Sequence, residues 1–351
     1  MKLLELHILQ SFPVSCLNRD DLNSPKTAIF GGVQRARVSS QCWKRAIRES
    51  AAVDSPLLFT GKRTRLIVEP LRDELLHATD LSSEEAKTIA IEIAETLATY
   101  DKDNEKRNGT LKVKTIFFTS PTEIKALAGA YAETKDVKKA IKALKPENLK
   151  DAADIALFGR MVAADHSLTL EGAAMFSHAL STHKADNEID FFTAVDDNNP
   201  TDDSGSGHMG TTEFNAATYY RYAAVNLSML ADKDHLASMT VDERKAVLDA
   251  FIRATLEAVP GARRNSQNAN VRPAYVLGIV KDKGQPIQLI NAFERPVFAS
   301  SKSSILETSI QRLKEENTKL KDTWAVQTAE EVAIPEVNVN QFITRLIAHV
   351  L

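Results

Sequence analysis

The side chains best equipped for chemistry crowd near the start of the chain. Between Ser15 and Arg48, in SCLNRDDLNSPKTAIFGGVQRARVSSQCWKRAIR, stand Arg19, Lys26, Arg35, Arg37, Lys44, Arg45 and Arg48, opposed only by Asp20 and Asp21. Guanidinium and ammonium groups without carboxylate partners bind anions, and a row of them suits a row of phosphates. Residues 1–66 hold eleven Lys/Arg against five Asp/Glu, a net of +6, which leaves −9 on the remainder of a chain whose total is −3. A local basic patch on an otherwise acidic protein fits a polyanion held along one face. A solvated basic surface is the competing reading of the same charges.

The spacing from Val38 onward separates the two. Ser39 or Ser40 can cap a helix, and the following residues contain no Pro or Gly before Pro56. Gln41, Lys44, Arg45 and Arg48 then share one stripe, with Trp43, Ala46, Ile47 and Ser50 roughly opposite. The apolar side docks the helix, and the basic side projects. Lys44 and Arg48 repel each other at this spacing, so an anion that neutralises both explains the pair better than water does.

Other chemistries find less support. Gly205-Ser-Gly207-His-Met-Gly210 has the dinucleotide-binding spacing but follows an acidic polar tract instead of a strand. His166, His178 and His183 lack zinc-site spacing and have no cysteine companions. Asp190, Asp196, Asp197, Asp202 and Asp203 could gather a divalent ion, but Pro200 breaks the calcium-loop pattern. No nucleophile elbow or phosphate-binding glycine loop is present, and nothing requires a metal, a cofactor or catalysis. Cys16 and Cys42, the only cysteines, suit a reducing cytoplasm. Glu5, His7 and Gln10 interrupt what would be the apolar part of a signal peptide, and no window is long and apolar enough to span a membrane.

These residues need a scaffold. KLLELHILQ alternates as a half-buried strand, and residues 17–37, without clear periodicity, read as a long functional loop. Residues 59–158 are mostly helical, with SSEEAKTIAIEIAETLATY the clearest amphipathic run and VKTIFFT a short strand candidate. IDFFTAV and ATYYRYAAVNL are β-prone arms of a projecting hairpin, the second continuing into a sheet. One of the neighbours Phe191 and Phe192 must then face away from the core, where an aromatic tip can stack on or part nucleic-acid bases. The helix DERKAVLDAFIRATLEAV, a basic loop around VPGARRN, another strand, the charged helix QRLKEENTKLK and a closing amphipathic segment complete the chain.

Taken together, SCLNRDD, KTAIFGG, RVSSQCWKRAIR, DIALFGRM, IDFFTAVDD, HMGTTEF, YYRYAAVNL, VPGA and NAFE resemble the CasC family, the crRNA-binding backbone subunits of type I-E CRISPR Cascade complexes. The resemblance implies an α+β fold: an RRM-like (ferredoxin-like) palm (1–58, 174–184 and 219–351), an inserted helical fingers domain (59–173) and a projecting β-hairpin thumb (185–218). It implies a cytoplasmic, non-catalytic protein without cofactor, stacked in several copies along a crRNA and meeting target DNA through that guide. Its other partners would be the remaining Cascade subunits: a guide-processing endonuclease, a handle-binding subunit, small subunits and a large PAM-reading subunit. On the palm, Asn18, Arg19, Lys26, Ser39, Ser40, Gln41, Lys44, Arg45 and Arg48 fall at or beside guide-backbone positions. Arg160, Met161, Phe192 and Thr193 fall where fingers and thumb perturb the guide, and Arg263 and Arg264 follow VPG where the family carries a lysine and a glutamine. Relatives in type III complexes cut target RNA through a loop aspartate, which is the enzymatic alternative.

Overall fold

The structure is a computed structural model that describes residues 1–162, 164–194 and 208–351. The acidic residues Asp196, Asp197, Asp202 and Asp203, and Gly205 and Gly207 of the glycine pattern, lie outside the described residues.

The chain opens with β1 (Leu3–Ser15), β2 (Thr27–Phe30), β3 (Val33–Val38) and α1 (Ser40–Asp54). There follow β4 (Lys62–Thr64), α2 (Val68–Ala78), α3 (Ser83–Leu97), α4 (Lys102–Asn108), β5 (Phe117–Thr119), α5 (Pro121–Thr134), α6 (Val137–Ile141) and α7 (Ala153–Phe158). Next come β6 (Ala174–Phe176), β7 (Ala179–Ser181), β8 (Glu188–Ala194), β9 (His208–Asn226), α8 (Leu227–Leu230), α9 (Val241–Glu257) and α10 (Arg264–Gln267). β10 (Tyr275–Lys281), α11 (Ile305–Trp324), β11 (Glu330–Ile334) and α12 (Val339–Ile347) finish the chain. The fold is α+β, built on one large antiparallel sheet of order β11-β10-β1-β9-β7-β3-β2.

β1 is an interior strand of the sheet, between β10 and β9, and not the half-buried one its alternation suggests. Leu4, Leu6 and Ile8 join the core under α1, α9 and α12, whereas Leu9 joins a second core under α11. Glu5 and His7 point into that second layer and are buried with partners. The Glu5 carboxylate pairs with Lys281 at 2.7 Å and accepts from the Tyr222 hydroxyl at 2.8 Å, and His7 Nδ1 lies 2.9 Å from the Tyr220 hydroxyl. A polar period-2 pattern therefore marks a strand covered on both faces by a paired polar network.

The expected loop at 17–37 contains a hairpin. Gly31 and Gly32 both take positive φ, 60° and 75°, the geometry of a tight turn that matches strand twist, and join β2 to β3. A Cβ on Gly31 would stand 1.7 Å from the Glu294 carbonyl oxygen, so glycine is required there for space as well as for φ. Arg35 explains the close approach. Fully buried, it donates to the carbonyls of Phe30, Ser181, Phe293 and Glu294. One arginine of the opening cluster thus joins KTAIFGG to NAFE and is spent on structure.

Between α1 and β6 the helices form their own core, from Ile67 and Val68 through Leu97 and Leu127 to Leu168. Capping boxes start α3 (Ser82 with Glu85) and α5 (Ser120 with Glu123). α7, within the stretch read as fingers, packs in the first core beside Phe59 and Phe118.

Candidate nucleic-acid interface

The basic loop is shaped by its own acid. Asp20 Oδ1 accepts from the amides of Leu22 (2.9 Å) and Ser24 (3.0 Å), a side-chain turn that brings Arg19 opposite Pro25. Asn18 closes the loop onto the helix: its carbonyl accepts from Lys26 N at 2.9 Å and its side-chain oxygen from Ser39 N at 2.9 Å. Ser39 is buried and caps α1 through Cys42 N, while Ser40 N donates to His178 Nδ1 at 2.9 Å. Burial, then Arg37 and Lys26, hold the His178 imidazole below its ordinary pKa, so the patch is electropositive where loop, helix start and β7 meet.

The predicted stripe of α1 is present and divides into two banks. Gln41 and Arg45 are exposed; Arg45 pairs with Glu49 at 2.8 Å and lines a groove with Asn18, Arg19, Gly261 and Ala262. Lys44 and Arg48 lean the other way. The Lys44 ammonium stands 5.5 Å from the Phe176 ring centre, and the Arg48 guanidinium 5.7 Å from that of Phe118. Arg263 is half-buried with φ 52°, and Arg264 is exposed at the start of α10. Burial raises the Cys16 thiol pKa against the pull of Arg263 and Arg19, which places both guanidinium groups near it.

Arg160 is a correction. Its guanidinium is 8 % exposed, held between both carboxylate oxygens of Glu123 (2.7 and 2.8 Å) and the carbonyls of Phe118 and Leu168. A cation so committed anchors its loop and does not meet a phosphate. Its neighbour Met161 is 81 % exposed and borders a cleft with Arg63, Phe118, Phe158 and Leu170. Arg160 therefore fixes the base of the loop from which Met161 projects.

The reading that one of Phe191 and Phe192 serves the core is also corrected: they are 62 % and 40 % exposed. Among the described residues β8 pairs with β9 alone, and every residue of β8 is exposed. The Phe192 ring lies over Gly210 of the facing strand, where a Cβ would come within 2.6 Å of it, and the next residue, Thr193, is exposed. Phe192 and Thr193 lie on the ribbon and Met161 at its own cleft, whereas the basic residues divide between the groove of Asn18, Arg19 and Arg45 and the opposite bank of α1, where Lys44 and Arg48 rest on aromatic rings.

Two residues were not foreseen. Arg63, on β4, stacks on the opposite strand's Phe118 at 4.7 Å, and burial together with Arg48 lowers its pKa. Asp154, at the start of α7, is fully buried against Gly61, with the backbone amides of Gly61, Asp154 and Ile155 turned toward its carboxylate. Burial pushes its pKa up to about 6 against the pull of Arg48. The basic run KRTR at 62–65 was the available signal for Arg63; Asp154 gave none, because its neighbours are distant in sequence.

Among the described residues, no group of three or more His, Cys, Asp or Glu could hold a metal ion. No described helix is long and apolar enough to cross a membrane.

Comparison with known proteins bears on all of this geometry. A family model described as CT1975-like protein matches residues 4–345. No curated protein matches the chain. Among solved structures 106 chains match. A chain of a "CRISPR RNA-guided surveillance complex, pre-nicking" is 30 % identical, with a TM-score of 0.82 over 99 % of this chain and 100 % of that one. A chain of a "CRISPR RNA-guided surveillance complex" is 25 % identical, with a TM-score of 0.63 over 99 % and 98 %.

Proposed function

The chain belongs to the CT1975-like protein family, and from that premise we propose that it is the guide-binding backbone subunit of a type I-E CRISPR Cascade complex. Several copies stack along one crRNA and hold its phosphates without reading sequence. Target choice is left to pairing between guide and target DNA. The protein works in the cytoplasm beside the endonuclease, handle-binding, small and PAM-reading subunits, and performs no chemical step itself. The supporting likeness is to chains of RNA-guided surveillance complexes. The observation that carries the reading is on this chain's own surface: Arg19 and Lys26 in the loop before α1, and Lys44 and Arg48 along α1, have no ion-pair partner among the described residues. Uncompensated cations side by side are stable against a polyanion.

The test is the salt dependence of RNA binding. The double variant Lys44→Ala, Arg48→Ala removes two cations whose head groups sit on aromatic rings without ion pairing. The slope of log K against log salt should become shallower by about 1.4, at ~0.7 per phosphate contact on a single strand. An unchanged slope in a folded variant removes the assignment. Magnesium-dependent cutting of target RNA by the assembled complex would favour the enzymatic alternative.

A further inference from the structure

We propose that Arg63 is a phosphate-binding residue, completing with Arg48 and Lys44 a three-cation clamp for one phosphodiester of the bound RNA where α1 meets the helical domain. The proposal rests on the function argued above and extends the anion surface from the palm onto β4.

Three observations carry it. First, Arg48 and Arg63 share a single ring: the Phe118 centroid is 5.7 Å from one guanidinium and 4.7 Å from the other. Phe118 is buried, and Arg63 faces it across the β4–β5 pair, so its position is set by strand register. Lys44 stands on the neighbouring ring of Phe176, which itself stacks on Phe158 with centroids 6.1 Å apart. Two of the three cations therefore rest on the Phe118 ring and the third on the Phe176 ring, and Phe118 and Phe158 line the same cleft.

Second, they crowd one another. Arg48 lowers the pKa of Arg63, and Arg63 lowers that of Lys44, each after burial as the larger cause. The carboxylate that acts on this group is Asp154, from α7, and it is completely buried, leaving an excess of positive charge at the mouth of the site. A second carboxylate, Glu123 on α5, is already taken by Arg160. An anion arriving from solvent relieves the repulsion, and a phosphodiester offers two oxygens to two guanidinium groups.

Third, the site is open and correctly placed. Arg63 is exposed and borders the same cleft as Met161, with Arg160 fixed behind it. A strand lying along α1 reaches this cleft next. An aromatic shelf beneath a basic rim is the arrangement that receives single-stranded nucleic acid.

The experiment measures binding of a short single-stranded RNA by the full chain across a salt series, for wild type, Arg63→Gln, Arg63→Lys and the Lys44→Ala, Arg48→Ala double variant, with a melting curve for each. Arg63→Gln should weaken binding several-fold and flatten the slope by about 0.7 without lowering the melting temperature, and Arg63→Lys should restore the slope. A wild-type slope in Arg63→Gln, beside a flattened one in the double variant, overturns the clamp and leaves the function standing. Failure of wild type to bind RNA in a salt-dependent way overturns both. Equal loss in Arg63→Gln and Arg63→Lys with lowered melting temperatures assigns Arg63 a structural role and overturns the proposal, as does a change confined to assembly of protein copies, which would make the occupant an acidic protein surface.

Discussion

Asp154 shows how a single buried group sets a measurable property. Its pKa is pushed up to about 6 because burial outweighs the attraction of Arg48. The folded state holds this proton more tightly than the unfolded chain does. The carboxyl's contribution to stability is therefore fullest below the ordinary aspartate range and is lost as pH rises through about 6. A rise of about two pKa units corresponds to something on the order of 3 kcal/mol. Asp154→Asn, which cannot ionise, should melt close to wild type near pH 4.5 and above it near pH 7.5, both taken as approximate points on either side of the transition. A constant difference between the two proteins across that range would show that Asp154 does not titrate there. Such a residue was illegible in DIALFGRM, since Gly61, Arg48 and Arg63 meet it only in the fold. The basic residues near the start of the chain were legible because their number and spacing alone implied an anion, but sorting them needed partners: Arg35 proved to be spent on carbonyls, as Arg160 in the helical stretch is on Glu123, while Arg19, Lys26, Lys44 and Arg48 remained.

Elements with a complete pattern of their own were readable. α1 carries cap, apolar face and basic stripe within fifteen residues, and its observed N-cap is Ser39. β2 and β3 were missed although Gly31-Gly32 between β-prone arms is a hairpin signal, because polar and basic residues in the arms hid the alternation. A hairpin with IDFFTAV as one arm was foreseen, but its other arm is His208–Phe214 and ATYYRYAAVNL pairs with β1 instead; the rule that one of two successive residues faces a core failed too, since among the described residues the whole of β8 is exposed. That exposure decides what Phe192 can do. Truncating a buried phenylalanine removes about 3 to 5 kcal/mol, but Phe192 is 40 % exposed, with its ring over Gly210. Phe192→Ala should accordingly leave the melting temperature nearly unchanged. In complexes assembled on RNA it should abolish the regular alternation of base reactivity toward chemical probes, because an aromatic wedge parts stacked bases and alanine does not. Retained alternation in a folded variant would assign the ring to protein packing.

At the scale of the molecule, the surface is incomplete without other chains. Ile189, Phe191 and Met209 are 71 %, 62 % and 60 % exposed on one ribbon, and Met161 and Leu57 are 81 % and 83 % exposed on the body. Single exposed apolar side chains are ordinary, but a ribbon carrying several of them is expected to be covered in the working state. The sheet supplies the rigidity for this, since β9 runs unbroken from the ribbon into the sheet beside β1 and transmits its direction to the palm. On the proposed function, each copy presents one short basic face, so a long RNA would be covered only by repetition. Purified protein should therefore bind a short oligoribonucleotide as a single copy and a spacer-length RNA as a ladder of copies whose mass grows with RNA length. Replacing Phe191 and Met209 together with serine should preserve the melting temperature and single-copy binding to the short RNA while shortening the ladder on the long one, because the loss falls on contacts between copies and not on phosphate contacts. Mass measurement of the bound species decides the matter: one protein per RNA at every length would mean that the exposed ribbon serves some other partner and that this chain does not build a backbone.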